Sequence, residues 1–137
     1  MREKLKVIAY IFRNNRSEIL VFDHRDIPDA GTQVVGGTVE AGEDFKLALS
    51  REIKEESGLN ISPGEMTKIG ESTYHRQDVP ELNHRHYFEI LSTDLPETWE
   101  HTVSSDGLDN GLVFEFYWLP LDEARDVLVG KFGELLP

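Results

Sequence analysis

The chain has 137 residues, 39% of them hydrophobic, which is enough for one domain with an ordinary buried core. Its formal net charge of −12 argues against binding to a DNA or RNA backbone, because proteins of that class present a basic face. There is no cysteine, so neither disulfides nor thiolate metal sites are available.

The N-terminal part is predicted to form a β-hairpin and a brief third strand. Residues 5–12 are rich in Val, Ile and Tyr, and residues 18–23 form an apolar run after a turn at residues 13–16. A polar loop at residues 24–32 leads to the third strand at residues 33–35. The first apolar run is too short for a secretory signal, and none approaches the ~20 residues of a membrane span, so we expect a cytoplasmic protein without membrane contact.

Residues 44–57 have the pattern of one amphipathic helix. Asp44 is a suitable N-cap, and Gly58 fits the left-handed position that follows the last turn of many helices. Three apolar residues recur every fourth position and form the predicted buried stripe: Phe45, Leu49 and Ile53.

The remaining chain is predicted to alternate strands and loops before a second helix. The predicted strands are residues 66–74, 84–91 and 112–119. A loop at residues 75–83 and a long irregular segment at residues 92–110 separate them, and such length is uncommon unless a loop is functional or disordered. Pro120 ends the last strand, a helix follows at residues 121–129, and the last eight residues are predicted to form a tail. The pattern as a whole indicates one α+β domain over residues 1–137.

Three glutamates beside the helix stripe concentrate negative charge. Glu52, Glu55 and Glu56 follow one another at i, i+3 and i+4, so their side chains project from neighbouring positions. Like charges at this spacing oppose helix formation by about 0.2–0.5 kcal/mol per pair, and the helix dipole disfavours anions near the C-terminal end. The glutamates thus violate two local rules of helix stability at once, and such combined violations often mark a functional site. A divalent cation such as Mg²⁺, which is held by carboxylates and substrate phosphates, would resolve the conflict.

A solvated helix face is the alternative interpretation of these glutamates. The loop before the helix favours a site, because Gly36, Gly37 and Gly42 allow close approach of the backbone and positive φ. Arg51 lies one turn before Glu55 and could hold that carboxylate in place.

The pattern resembles the Nudix box, the signature of the Nudix (MutT-like) hydrolases. The matching positions are Gly37, five residues, Glu43, seven residues, Arg51-Glu52-Ile53, any residue, Glu55-Glu56, any residue, and Gly58-Leu59. No position departs from the motif, which covers about a sixth of the chain. One flanking position differs: Val35 precedes the double glycine where many members of the family have proline. This difference affects the approach of the loop and leaves the metal ligands unchanged.

The resemblance implies an α/β/α sandwich with a mixed sheet, which agrees with the predicted elements. It also implies metal-dependent hydrolysis of a diphosphate linkage, with Mg²⁺ or Mn²⁺ as cofactor. The implied substrate is a nucleoside diphosphate derivative: a nucleoside triphosphate, a nucleotide sugar, ADP-ribose or a dinucleoside polyphosphate.

The resemblance also assigns roles to the residues of the box. By position, the expected metal ligands are the carbonyl oxygen of Gly36 and the carboxylates of Glu55 and Glu56. Glu52 is a further ligand or the general base. Glu43 is expected to orient Arg51 or to reach the metal through water, and the glutamate that activates water stays open.

A further acidic ligand is expected near the last strand, where members of this family often place one. Glu115 lies within the apolar run LVFEFYWL and is the first candidate. Asp106 and Asp109 in the preceding segment could fill the same role. In the alternative interpretation, Glu115 faces solvent on the outer side of an alternating strand.

Candidate substrate contacts include Gly37 and several residues outside the box. Tyr74 lies near the position of a tyrosine that the family associates with dinucleoside polyphosphate hydrolases. Trp99 could stack on a base or fix its loop to the core. Three arginines could contact phosphate or simply lie at the surface: Arg13, Arg25 and Arg85.

The expected partner is a small phosphorylated substrate, most often a nucleotide in this family. Bound metal and a few local cations could neutralise it despite the net charge of −12. A homodimer is compatible with the sequence. The alternative function is a non-catalytic Nudix-fold module that binds a nucleotide and regulates. The intact Glu52, Glu55 and Glu56 argue against it, because a binding module does not need all three.

Overall fold

A mixed sheet of seven strands forms the centre of the computed structural model, which describes residues Met1–Pro137. The strands are β1 (Arg2–Arg13), β2 (Glu18–His24), β3 (Gly36–Thr38), β4 (Thr67–His75), β5 (Glu81–Leu91), β6 (Trp99–Thr102) and β7 (Val113–Pro120). Their spatial order is β4-β5-β1-β2-β7-β6, and β3 pairs with β1. The helices are α1 (Phe45–Ser57) and α2 (Leu121–Val127), with 3-10 turns at Pro28–Ala30 and Pro63–Glu65. No helix is both long enough and apolar enough to cross a membrane.

The first strand has three partners, and this arrangement positions the glycine segment. Residues 2–12 of β1 pair in parallel with residues 81–91 of β5. On the other edge, β1 pairs with β2 only at Phe12 and Arg13, whereas residues 6–8 pair with β3. The hairpin therefore opens towards the beginning of β1, and β3 occupies the space between its strands.

Each face of the sheet packs against one helix, because alternate residues of β1 point to opposite faces. On one face, Leu49 and Ile53 of α1 are fully buried in the larger core cluster. On the other face, Ala124 of α2 lies in a second cluster together with Ile8 and Tyr10 of β1. The predicted α+β class and the mixed-sheet sandwich are thus confirmed.

The predicted first helix is confirmed at both ends. The Asp44 side chain accepts a hydrogen bond from the N–H of Leu47 at 3.1 Å, and Gly58 has φ of 80° at the C-terminal end. Phe45 differs from the rest of the predicted stripe: it is half-buried, and its ring contacts that of His86 at 4.5 Å.

The prediction of a strand at residues 33–35 is wrong. Its first residue forms only an isolated bridge, with Phe22. The strand lies one step later, in the glycine segment itself, at Gly36–Thr38. A Cβ on Gly36 would lie 2.6 Å from the carbonyl oxygen of Val7, so a residue without a side chain suits this position. The apolar β-branched residues of this segment indicate that it is buried, but they do not indicate which residues pair with a neighbouring strand.

The prediction of a C-terminal tail is also wrong, because residues 130–137 pack on the α2 face of the sheet. Phe132, Leu135 and Leu136 contact the second core cluster. The Tyr10 hydroxyl donates a hydrogen bond to the carbonyl oxygen of Phe132 at 2.5 Å.

Three other boundaries differ from the sequence pattern. β5 begins at Glu81, within the loop predicted at residues 75–83. β6 lies within the segment predicted to be irregular, residues 92–110. α2 ends at Val127, two residues before the predicted end.

Candidate active site

Two glutamates of α1 lie directly against the glycine segment. Glu56 is 8% exposed and accepts a hydrogen bond from the backbone N–H of Gly36 at 3.1 Å. Glu52 faces the next residue, where a Cβ on Gly37 would lie 2.1 Å from the carboxyl carbon of Glu52. The lack of a side chain at both glycines lets the helix and the loop approach. Two carboxylates one helical turn apart therefore meet the same short stretch of backbone.

Arg51 connects the loop to the other glutamates. Its guanidinium donates to both carboxylate oxygens of Glu43 at 3.0 Å and to the carbonyl oxygen of Thr38 at 3.0 Å. It also donates to Glu52 at 2.9 Å and to Glu55 at 3.5 Å. The hydrogen bonds from Arg51, together with one from a backbone N–H, hold the pKa of Glu43 below its ordinary value. Glu43 is thus linked to the other glutamates through Arg51.

The carboxylates that face the glycines have raised pKa values. Burial raises the pKa of Glu52 to about 7, with the charge of Arg51 opposing the shift and that of Glu55 adding to it. Burial, followed by the charge of Glu52, raises the pKa of Glu56 well above its ordinary range, and the N–H of Gly36 opposes this in part. A cation bound beside them would favour the charged forms of both groups.

These groups form one wall of a cleft of about 640 Å³. Its floor consists of side chains from two neighbouring strands, namely Lys4 and Lys6 of β1 and Asn83 and Arg85 of β5. Asp106 and Asp109, in the segment between β6 and β7, also line the cleft. The charge of Asp109 contributes to the raised pKa of Glu56. The cleft thus combines an acidic wall with a basic floor.

The oxygen donors of the acidic wall are those that Mg²⁺ and Mn²⁺ prefer. No three histidine, aspartate or glutamate side chains are arranged so that they could hold one metal ion. The Glu56 carboxylate receives one hydrogen bond, from Gly36, and retains lone pairs for a cation. Mg²⁺ is usually held by one or two carboxylates together with water and substrate phosphates. The residues present fit that mode of binding.

Glu115 is not brought to the cleft. Its cross-strand partners are Asp23 of β2 and Glu100 of β6, and it does not line the cleft. Its neighbours along β7 are core phenylalanines on the α1 face, so Glu115 points to the other side of the sheet. The structure therefore does not support Glu115 as a metal ligand. The other acidic candidates, Asp106 and Asp109, are the ones that reach the cleft.

Arg25 and Tyr74 do not line the cleft either. Arg25 pairs with Asp26 at 3.2 Å and with Glu100 at 3.4 Å. The ring of Tyr74 lies under the guanidinium of Arg85, 4.1 Å from the ring centre. Tyr74 therefore contacts Arg85, which does line the cleft.

Trp99 holds β6 to the end of α1, away from the cleft. Its indole N–H donates to the carbonyl oxygen of Ser57 at 3.0 Å. Its ring stacks on Phe116 with 4.9 Å between the ring centres. Of the two roles that the sequence allows, the structure agrees with fixing the segment to the core.

Of the residues in the basic floor, the sequence prediction named only Arg85, as a possible phosphate contact. A signal existed for Lys4 and Lys6, because they alternate with Leu5 and Val7 and a strand places alternate residues on one face. No such signal exists for Asn83, because the sequence pattern assigns it to a loop. Strand pairing over more than 70 positions brings these residues together.

The chain belongs to the Nudix family, since the family model described as NUDIX domain matches residues 3–136. The resemblance based on the box is therefore confirmed over nearly the whole chain. Comparison with curated proteins finds no match.

Solved structures of Nudix proteins have the same fold. The Escherichia coli dihydroneopterin triphosphate pyrophosphohydrolase is 20% identical with a TM-score of 0.65, over 98% of this chain and 96% of that chain. The NUDIX domain of Shewanella oneidensis NrtR, complexed with ADP ribose, is 13% identical with a TM-score of 0.70, over 99% and 85%. A Caenorhabditis elegans Ap4A hydrolase is 21% identical with a TM-score of 0.63, over 97% and 92%.

Proposed function

We propose that the protein hydrolyses a diphosphate linkage in a nucleoside diphosphate derivative, with Mg²⁺ or Mn²⁺ as cofactor. The observation that carries this proposal is the position of Glu52 and Glu56 against Gly36 and Gly37, at the wall of a cleft with a basic floor. Carboxylates suit the metal, and cationic side chains suit phosphate oxygens. A diphosphate bound in the cleft could contact both.

The glutamates of α1 supply the proposed metal ligands and the base. The proposed ligands are the carbonyl oxygen of Gly36 and the carboxylates of Glu55 and Glu56. When bound, Mg²⁺ or Mn²⁺ neutralises charge on phosphoryl oxygens and makes water a better nucleophile. Glu52 is a further ligand or the general base, and its position against Gly37 at the wall of the cleft suits either role.

Hydrolysis requires a new bond between the water oxygen and phosphorus, while the anhydride P–O bond breaks. A proton of the water passes to the base. Arg51 and Glu43 are positioning residues, because their contacts hold the loop and Glu52 in place. Gly37 lines the cleft and is a proposed substrate contact, whereas Tyr74 contributes through Arg85.

The names of the structural neighbours support a phosphorylated small molecule as substrate. They describe a dihydroneopterin triphosphate pyrophosphohydrolase, an Ap4A hydrolase and a domain complexed with ADP ribose. We propose four substrate classes for this chain: nucleoside triphosphates, nucleotide sugars, ADP-ribose and dinucleoside polyphosphates.

A second candidate is a non-catalytic module that binds a nucleotide and regulates. The observation that favours it is the fold similarity to the NrtR domain, whose structure contains ADP ribose. The two functions make different predictions. A binding module should bind ADP-ribose without converting it, and its affinity should depend little on Glu52 and Glu56.

A screen for release of nucleotide products from the four substrate classes, separated by chromatography, with Mg²⁺ and with Mn²⁺, tests the proposal. Glu52→Gln and Glu56→Gln serve as matched variants, because each removes one charge and keeps the shape of the side chain. Metal-dependent release that is lost in Glu56→Gln supports hydrolysis. Binding of ADP-ribose without release from any substrate supports the regulatory module. Release that persists in both variants would place the activity elsewhere.

A further inference from the structure

We propose that Lys6 binds a phosphoryl oxygen of the substrate from the floor of the cleft. The Lys6 ammonium donates a hydrogen bond to the hydroxyl of Thr38 at 2.7 Å. Strand pairing places Lys6 in register with Thr38 of β3 and with Arg85 of β5. This inference rests on the proposed function, because that function names a diphosphate as the ligand. Binding of the diphosphate can be measured without turnover.

Lys6 is the one cation of the cleft that has no acidic partner. Five cationic side chains line the cleft: Lys4, Lys6, Arg51, Arg76 and Arg85. Four of them have a carboxylate oxygen within 4.0 Å, and Lys6 has none. Because each of the other four already contacts a carboxylate, the charge of Lys6 is the least compensated and the most available to an incoming anion.

The surroundings of Lys6 leave its ammonium incompletely bonded. An ammonium has three donors, and the Thr38 hydroxyl accepts one of them. Burial, and then the charge of Lys4, lowers the pKa of Lys6, with the charges of Glu81 and Glu52 opposing the shift, so the net effect of the site disfavours the charged form. A phosphoryl oxygen would accept from the remaining donors and would stabilise the positive charge.

The position of Lys6 also matches the acidic wall. Gly37 contacts Glu52 and is followed directly by Thr38, which contacts Lys6. A phosphoryl group bound in this part of the cleft therefore has both the carboxylates and the ammonium as neighbours. Lysine suits this place, because its ammonium is a compact point charge on a flexible stem.

Binding of methylenediphosphonate, a diphosphate analogue that cannot be hydrolysed, tests the assignment. Calorimetry with Mg²⁺ present compares wild type with Lys6→Met, Lys6→Gln and Lys4→Met. Both methionine variants remove one positive charge and keep the apolar stem, so the net charge changes equally. Lys6→Gln can still donate to Thr38, and it covers the case in which the methionine variant does not fold.

We expect Lys6→Met and Lys6→Gln to bind the analogue about tenfold more weakly or worse, as for the loss of a charged hydrogen bond. Lys4→Met should show a much smaller loss, since Lys4 already pairs with Glu81 at 3.4 Å. Lys6→Arg should recover part of the affinity, and salt should weaken binding more in wild type than in Lys6→Gln. A merely structural role would not produce that difference in salt dependence.

Two results overturn the assignment: unchanged affinity in Lys6→Gln, or equal losses in the Lys6 and Lys4 variants. The hydrolysis screen is independent of this measurement. If no substrate is hydrolysed but the analogue binds through Lys6, the proposed activity fails and this inference stands. If a substrate is hydrolysed and the Lys6 variants bind normally, the inference fails and the activity stands.

Discussion

The carboxylate of Glu56 accepts a hydrogen bond from the backbone N–H of Gly36 at 3.1 Å, across 20 positions of sequence. This bond joins the last turn of α1 to β3, the strand inserted beside β1. Glutamine at position 56 would keep a carbonyl oxygen for that N–H but would lose the negative charge. Glu56→Gln therefore separates the structural contact of Glu56 from its charge.

The first prediction is that Glu56→Gln lowers turnover about 100-fold or more at saturating Mg²⁺. The physical reason is the loss of a charged ligand that would hold the cation against the phosphoryl oxygens. The measurement is turnover of a substrate found in the screen, beside wild type with and without excess chelator. Near-normal turnover in the variant, or full activity of wild type in chelator, would contradict the proposed site.

The second prediction concerns the contact between Gly37 and Glu52. A Cβ on Gly37 would lie 2.1 Å from the Glu52 carboxyl carbon, whereas a Cβ on Gly64 would meet nothing within 4 Å. The Glu52 carboxylate is the end of a flexible side chain and can move. Gly37→Ala should therefore abolish most activity with little change in melting temperature, and Gly64→Ala should change neither. Full activity in Gly37→Ala would show that the position of Glu52 is not critical.

The sequence is sufficient to predict α1 and its acidic face, because both depend on contacts within a few residues. The cap at Asp44, the left-handed Gly58 and the adjacent glutamates are all local features. The floor of the cleft, in contrast, depends on contacts between residues that are far apart in the sequence. Lys6 meets Arg85 only because β1 and β5 pair in parallel across most of the chain, and no local pattern specifies that register.

Glu115 illustrates the same limit. Its place in an apolar run marks a strand, but the side to which it points depends on how β7 pairs with its neighbours. The C-terminal segment fails for a related reason. Phe132, Leu135 and Leu136 are spaced at i, i+3 and i+4, but the segment is too short to indicate a helix, and only the docking of Phe132 on Tyr10 shows that they pack half-buried against the sheet.

The third prediction distinguishes the acidic candidates outside α1. Asp109 lines the cleft and acts on Glu56, whereas Glu115 does not line it. Asp109→Asn should raise the Mg²⁺ concentration needed for half-maximal activity several-fold, and Glu115→Gln should leave it unchanged. Metal titrations of turnover for both variants measure this. If Glu115→Gln raises the required Mg²⁺ concentration more than Asp109→Asn does, Glu115 is supported as the additional ligand.

The fourth prediction is that metal-free Glu56→Gln is at least as stable as metal-free wild type. Glu56 is buried near Glu52, and its charged form is disfavoured without a cation. Mg²⁺ should raise the melting temperature of wild type by binding the folded site, which adds about 2.7 kcal/mol to the free energy of unfolding at a hundredfold excess over the dissociation constant. The variant should respond much less.

Thermal melts in chelator and in Mg²⁺ measure this prediction for both proteins. A variant clearly less stable than wild type in chelator would reveal a partner that needs the charge of Glu56. Equal responses to Mg²⁺ would mean that the ion binds elsewhere.

The fifth prediction is that the metal-free protein loses stability as the pH rises from about 5 to about 8, and that Glu52 is one cause. The pKa of Glu52 is raised in the folded state from 4.5 to about 7. Its contribution is therefore fully present below the unfolded value and is lost as the pH rises through the folded value. At ~1.4 kcal/mol per pKa unit the contribution is on the order of 3 kcal/mol.

The matched control for this pH dependence is Glu52→Gln, which cannot titrate. His86 acts in the opposite direction, because burial lowers its pKa and its neutral form is favoured in the folded state. Since both proteins contain His86, its effect cancels in the difference between their free energies of unfolding. Denaturant melts in chelator at several pH values should show that the free energy of unfolding of wild type falls relative to that of Glu52→Gln as the pH rises. A difference that is constant with pH would mean that Glu52 ionises at its ordinary pKa in the folded protein.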